Sequence, residues 1–255
     1  MKVSLLASGS KGNCCYVETS AGEFLIDVGV SCAYIENKLK SMNKNVRAIH
    51  AVFITHTHID HIQGLKSFVK KYNPIIYTTE KIYHELSDVI YSQNYVILGK
   101  ELIMDSLKVS IIKTSHDASD SNGYIFEDDG HSLVYITDTG YINVKNHKKL
   151  INKNLYILES NHDVNLLMNN PKYPFYLKQR ILGDKGHLSN EDSSYYLSQF
   201  VGEKTKCVIL AHLSEHNNTK ELALSSFNAA LNKTATNIER IIVAEQNERT
   251  ELIEI

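Results

Sequence analysis

Thr55-His56-Thr57-His58-Ile59-Asp60-His61 packs three imidazoles and a carboxylate into the six residues from His56 to His61, directly after the apolar run Ala51-Val52-Phe53-Ile54. Imidazole and carboxylate are donors that suit Zn²⁺ and other divalent transition ions. Alternate residues of an extended turn face the same way, so His56 and His58 can serve one ion while Asp60 and His61 serve a second. A catalytic ion commonly takes about three protein donors and keeps a position open, so four side chains do not complete two shells. Further donors must come from downstream, and the candidates are His116 in Thr114-Ser115-His116-Asp117, Asp138 in Thr137-Asp138-Thr139-Gly140, and His212 in Ala211-His212-Leu213-Ser214. Any one of them alone is more often a capping or solvent-facing residue than a ligand; the first cluster is what calls for partners of this kind.

These candidates share a position. Apolar runs of strand character end on, or just before, an acid or an imidazole at Asp27, His56, His116, Asp138, Glu159 and His212. Polar groups at the ends of buried strands are held rigidly on a solvent-facing rim, where sites of layered α/β proteins lie. Strands are expected over residues 2–7, 14–18, 23–27, 51–55, 75–78, 107–113, 123–127, 132–137, 155–159, 206–211 and 240–244. Helices are expected over 31–42, 61–72, 79–87, 190–200 and 219–231. The chain is therefore of mixed α/β class.

With 255 residues and 43% hydrophobic content, it can bury a substantial core, and no linker or low-complexity tract divides it, so one domain over 1–255 is expected. No apolar stretch approaches the ~18 residues that cross a bilayer. The opening Met1-Lys2-Val3-Ser4-Leu5 is too short an apolar run for a secretory signal, which makes the cytoplasm the expected location and a membrane partner unexpected. Cys14, Cys15, Cys32 and Cys207 have no C-x-x-C spacing and are expected to be reduced. A net charge of −2 excludes a globally basic nucleic-acid coat but leaves room for a local basic groove. There is no G-x-x-x-x-G-K-[ST] phosphate loop, which disfavours kinase and ATPase chemistry, and Ser8-Gly9-Ser10-Lys11-Gly12-Asn13 reads as a turn as readily as a phosphate contact.

The pattern H-x-H-x-D-H followed by a His, an Asp and a final His resembles the metallo-β-lactamase superfamily over nearly the whole chain. That resemblance implies a four-layer αββα sandwich with a metal rim along one edge. It also implies His56, His58 and His116 on a first ion, Asp60, His61 and His212 on a second, and Asp138 between them. Asp27 resembles the family's early Asp, which supports the rim without binding metal; from the residues alone it is as readily an Asp-Val-Gly turn. Two ions about 3.5–4 Å apart can generate hydroxide at neutral pH and neutralise a leaving oxygen, so hydrolysis follows, with zinc the first expectation and manganese the second.

Substrate class depends on the segments Leu158-Glu159-Ser160-Asn161-His162-Asp163 and Gly186-His187-Leu188-Ser189-Asn190. They resemble the nuclease side of the superfamily, although Leu188 interrupts the Gly-His-Ser-Thr motif of ribonuclease Z. Together with Ser-Gly-Ser-x-Gly-Asn near the start and His212-Leu213-Ser214-Glu215-His216-Asn217-Asn218, they look most like the YycJ/WalJ group of bacterial metallo-hydrolases. That group implies a phosphodiesterase acting as a 5′-to-3′ exonuclease on DNA. Asp60, His187 and Glu159 are then the catalytic candidates, His187 beside the scissile phosphate and Glu159 orienting it. Without the resemblance, His187 is equally a helix-entry residue before Ser189, a credible N-cap. His162 and His216 fall in polar loops, where exposed histidines are ordinary.

Residues 172–180 interleave cations with aromatics, a composition that fits either a nucleic-acid groove or an amphipathic segment with Tyr and Phe turned inward. The lysines of 145–153 read as a solvated face. Rival functions are a thioester or lactone hydrolase on the same centre and a regulator that keeps the metals without turnover.

Overall fold

Cys14 and Cys15 are neighbours and both fully buried, yet they pack into different cores. Successive side chains of a strand point to opposite faces, so a sheet carrying such a pair is covered on both sides. The computed structural model, which describes residues 1–234 and 236–255, shows two such sheets. The first is built from β1 (Lys2–Ala7), β2 (Cys14–Thr19), β3 (Gly22–Ile26), β4 (Ile49–Phe53), β5 (Ile75–Thr78) and β6 (Tyr95–Ile97). The second holds β7 (Glu101–Met104), β8 (Leu107–Lys113), β9 (Asn122–Asp128), β10 (His131–Ile136), β11 (Leu155–Glu159), β12 (Cys207–Ala211) and β13 (Arg240–Val243), and β14 (Ile253–Glu254) returns to pair with β1.

The faces that the two sheets turn toward each other form one core. Phe53 stacks on Tyr77 with ring centroids 4.7 Å apart and meets Phe126 of the other sheet edge-on at 5.1 Å. Outside the first sheet lie α1 (Cys32–Lys40), α3 (Leu65–Tyr72) and α4 (Glu80–Leu86), through Ile35, Leu39, Phe68 and Ile82. Outside the second lie α5 (Val144–Leu150), α8 (Asn190–Phe200) and α9 (Lys220–Leu231), through Leu150, Leu197, Phe200 and Phe227. The layers are therefore αββα, as the motif order implies. Among the described residues three further α-helices, α2 (Ile59–Ile62), α6 (Val164–Asn169) and α7 (Phe175–Leu182), and one 3-10 turn over Val46–Ala48 complete the helical elements. No helix among the described residues is long and apolar enough to cross a membrane.

Strands β3 to β6 run parallel to one another, and so do β10 to β13. Their carboxyl ends deliver Asp27, His56, Asp138, Glu159 and His212 to the rim. Asp27, Asp138 and His212 each leave their strand in the left-handed region, with φ of 61°, 54° and 57°. Such a residue turns the chain sharply away from the sheet at one position.

The expected helix over 61–72 is in fact two. Gly64 breaks it, because its N–H donates to Val28 O and an added Cβ there would sit 1.9 Å from Val30 O. Strands β6, β7 and β14 and helices α5, α6 and α7 were not expected from the sequence. The strands are at most four residues long, and α7 buries no residue, so neither leaves a periodic apolar signal.

Candidate active site

The rim gathers every residue of the candidate set. Donor atoms of His56, His58 and His116 lie within 4.8 Å of one another, and those of Asp60, His61 and His212 form a second such group. Asp138 lies between them. Its Oδ2 is 3.1 Å from His61 Nε2, and its Oδ1 is 3.5 Å from His212 Nε2 and 3.8 Å from His116 Nε2.

Protein groups engage one nitrogen of most of these rings and leave the other facing inward. His61 Nδ1 donates to Asp27 Oδ2 at 2.7 Å, His116 Nδ1 to Gly186 O at 3.1 Å, and His212 Nδ1 to Glu159 Oε1 at 2.9 Å. His56 Nδ1 lies 3.0 Å from Thr55 Oγ1, which itself donates to Asp27. Each of these rings thus turns Nε2 toward the centre, the arrangement in which outer partners fix the tautomer of a ligating imidazole. His58 differs: it presents Nδ1, 3.2 Å from His116 Nε2.

The loops carrying these residues are laced together by backbone. Val28 N donates to His61 O, Asn13 N to Asp60 O, and Gly29 N to Asn13 O, all between 2.8 and 2.9 Å. Gly29 is needed because a Cβ there would lie 1.7 Å from Asp60 O. The Gly-rich 8–13 segment is consequently a structural turn. Gly9 N donates to Asn13 Oδ1, and Asn13 Nδ2 lies 3.0 Å from His61 Nε2 and 3.3 Å from Asp60 Oδ2.

A divalent pair fits what is present. His56 Nε2 and His212 Nε2 are buried with no hydrogen-bond partner, an arrangement that costs free energy unless a cation meets them. Four carboxylates, those of Asp27, Asp60, Asp138 and Glu159, surround the cluster, and three of them are at most 2% exposed. Burial works against the charged form of His61, but Asp138 and Asp27 outweigh it and push its pKa up to about 10. Burial likewise opposes charge on Asp138, yet His212 and His61 hold its carboxyl well below the usual range. The carboxylates thus demand positive charge at the centre, and protons and divalent ions compete to supply it. His56, by contrast, is kept neutral by burial and by the neighbouring His61, the form that binds metal.

His187 and Glu159 stand beside the cluster. His187 Nδ1 donates to Glu159 Oε1 at 2.7 Å, and the same oxygen accepts from His212 Nδ1. Glu159 Oε2 accepts from the backbone N–H of Thr139 and Leu188. Fully buried Glu159 anchors the His187 ring by this bond, whereas His187 reaches the cleft. Burial of Glu159 favours its neutral acid, but His187 overrides this and brings its pKa down to about 2. Ser189 caps α8, its Oγ accepting from Asp192 N, so the helix-entry reading of this segment holds together with the placement of His187 at the site.

The cleft measures about 270 Å³, and its lining includes Ser10, Asn161, Ser214, Leu177, Arg180 and Lys185. Arg180 Nε donates to Asp117 Oδ2 at 2.5 Å. His162 corrects its expectation: it is 1% exposed, and neither ring nitrogen has a partner, while His216 is exposed as expected. Lys145, Lys148 and Lys149 are solvated as expected, whereas Lys153 is half-buried and paired with Glu127, and all four cysteines are free. Sequence reasoning missed Asn13 and Asn161, whose side-chain amides bond Gly9 O and His212 O. Both lie inside quoted motifs, yet an amide that props up a ligand follows no spacing rule.

The profile described as the Beta-lactamase superfamily domain matches residues 23–210, and with this fold and rim the chain belongs to the metallo-β-lactamase superfamily. Within it, the chain is 39% identical over 229 residues to the exodeoxyribonuclease WalJ of Streptococcus pneumoniae serotype 2, covering 87% of this chain and 85% of that protein. It is 36% identical over 233 residues to the exodeoxyribonuclease YycJ of Bacillus anthracis, with 89% and 88% covered. Among solved structures, the metallo-β-lactamase fold protein YhfI from Bacillus subtilis superposes with a TM-score of 0.73 at 15% identity, covering 98% of each chain. Zn²⁺-bound PqqB from Methylobacterium extorquens gives 0.71 at 16% identity, covering 99% of this chain and all of that one. At such identities the solved structures speak for the fold alone.

Proposed function

We propose that the protein is a two-metal phosphodiesterase that trims DNA from its 5′ end. The observation that carries this reading is the pairing of His187 with buried Glu159 beside the two donor groups, in an open cleft that also bears Arg180 and Lys185. The similarity to two exodeoxyribonucleases supports DNA as the substrate. A thioester or lactone hydrolase is served better by a closed apolar pocket than by this open cleft with charged residues in its lining.

In this reading His56, His58 and His116 hold one ion, Asp60, His61 and His212 the other, and Asp138 faces both. Zinc is the first expectation for a histidine-rich set and manganese the second. When bound, the pair supplies an activated water and charge neutralisation at the phosphate. The chain's own residues do the rest. Asp60 and Asp138 orient the donor set. Glu159 fixes His187 by its Nδ1–H, so Nε2 is the atom that hydrogen-bonds a phosphoryl oxygen or carries a proton to the leaving oxygen. Burial works against a charged His187, but the Glu159 carboxylate raises its pKa and favours the proton-carrying form. Arg180 and Lys185 attract the phosphate backbone. We place this activity in one domain over 1–255 and in the cytoplasm, where four free thiols stay reduced.

The test is a parallel assay of metal-loaded protein on 5′-phosphorylated DNA, RNA, a cyclic nucleotide and a thioester. Mononucleotide release from DNA is the expected result, and preferential turnover of the thioester overturns the reading.

A further inference from the structure

His58 stands apart in the donor set: it presents Nδ1 to His116, whereas His61, His116 and His212 bond outward through Nδ1. Its outward nitrogen is therefore Nε2. No hydrogen bond reaches that atom among the described residues, and the carboxylate oxygen nearest to it, Asp117 Oδ1, stops 3.7 Å away, beyond hydrogen-bond length. Asp117 Oδ1 accepts no hydrogen bond among the described residues either. It also lies 3.4 Å from His116 Nε2, but that nitrogen is the one offered to an ion, and Nδ1 of the same ring is engaged by Gly186 O. The N–H of His58 Nε2 is then the donor left for it.

The other oxygen of Asp117 is held from the opposite direction. Its Oδ2 accepts from Arg180 Nε at 2.5 Å and also pairs with Arg180 Nη2. The Arg180 side chain is 63% exposed, on a helix that buries no residue, so core packing does not fix it. An ion pair this open contributes little to stability, and a guanidinium fork matches phosphate as well as carboxylate. Arg180, Asp117 and His58 all line the cleft, so a phosphate entering it competes with Asp117 for Arg180.

Building on the ion assignment and the phosphate substrate of the preceding reading, we propose that Asp117 is the positioning residue of His58 and that Arg180 withholds it until a phosphate arrives. Phosphate captured by Arg180 frees the carboxylate to advance about 1 Å onto the N–H of His58 Nε2. A carboxylate on the outer nitrogen of a ligating imidazole fixes the ring and raises its basicity, so the ion held by His56, His58 and His116 is gripped more tightly once substrate is present. Such coupling is reciprocal, and the ion in turn favours phosphate at Arg180. A substrate without an anionic group leaves Arg180 on Asp117 and that ion loose. The pair thereby selects phosphate esters without touching base or sugar.

The experiment titrates Zn²⁺ against a chromophoric chelator for the full chain, free of phosphate, as wild type, Arg180→Gln, Asp117→Asn and the double variant. Arg180→Gln should hold one of its two ions about tenfold more tightly than wild type, the lower end for an outer partner of a ligand, and adding Arg180→Gln to Asp117→Asn should gain nothing. Inorganic phosphate should tighten the same ion in wild type about tenfold more than in Arg180→Gln. In metal-loaded wild type, nitrogen NMR should show the His58 Nε2 proton moving downfield as phosphate is added, and Asp117→Asn should abolish the shift. Unchanged affinity in Arg180→Gln overturns the proposal. So does an equal gain with and without Asp117, which makes Arg180 a plain repulsive charge. Phosphate that binds wild type without moving the His58 resonance overturns it whatever the variants do. No coupling in a protein that hydrolyses DNA overturns this inference and leaves the nuclease reading intact, whereas coupling in a protein that does not hydrolyse DNA supports it and overturns that reading.

Discussion

At the scale of single residues, holding and acting are divided between neighbours. His187→Ala should lower DNA hydrolysis by at least about a hundredfold, the usual scale of a lost general acid or base, while elemental analysis finds the metals retained. Full activity in that variant removes His187 from the reaction. Because protons compete with ions for His61, whose pKa is pushed up to about 10, and for His212, whose pKa is also raised, metal affinity should already fall as pH drops from about 10 toward neutral, and calorimetry in buffers of different ionisation heat should record proton release on loading at neutral pH. His162 gives a separate pH signature. Burial pulls its pKa from 6.5 down to about 4, so the unfolded chain takes up a proton that the fold refuses between those values. Its stabilising contribution is complete above pH 6.5 and declines as pH falls toward about 4. Urea titrations of His162→Leu should show a flatter dependence over that window than wild type.

At the scale of elements, the rim depends on loops that approach more closely than side chains permit. Gly29→Ala drives a methyl into Asp60 O, and the displaced loop carries Asp60 and His61. The variant should lose about 3 kcal/mol or more in urea unfolding, the upper end for overpacking, and should bind metal weakly. Much of this architecture was legible in the sequence because its signals are local. His56 to His61 are adjacent, and Leu155–Glu159 is an apolar run that stops on its acid. Other parts were not legible because their causes are distant. The break at Gly64 is set by Val28 and Val30, and the role of Asn13 is set by a loop 47 residues away. Helix α7 left no pattern at all, since periodicity reports burial and α7 has none.

At the scale of the whole molecule, two sheets meet on an aromatic layer centred on Phe53, which touches Phe24, Tyr77, Tyr124 and Phe126. Phe53→Ala should cost about 3–5 kcal/mol by denaturant titration, since the cavity opens between rigid layers. Because Phe53 ends β4 only three residues before His56, the variant should also lose metal affinity, which a colorimetric chelator competition would register. One oxygen atom carries a wider implication. Glu159 Oε1 is shared by His212, which belongs to the second donor group, and His187, which lines the cleft. An ion held by His212, as proposed, would draw electron density from that ring, and the companion ring would feel the change across the shared oxygen. Exchanging the metal should then retune the acidity of the proton donor, so that cells supplying different elements would obtain enzymes with different acid limbs from an identical polypeptide.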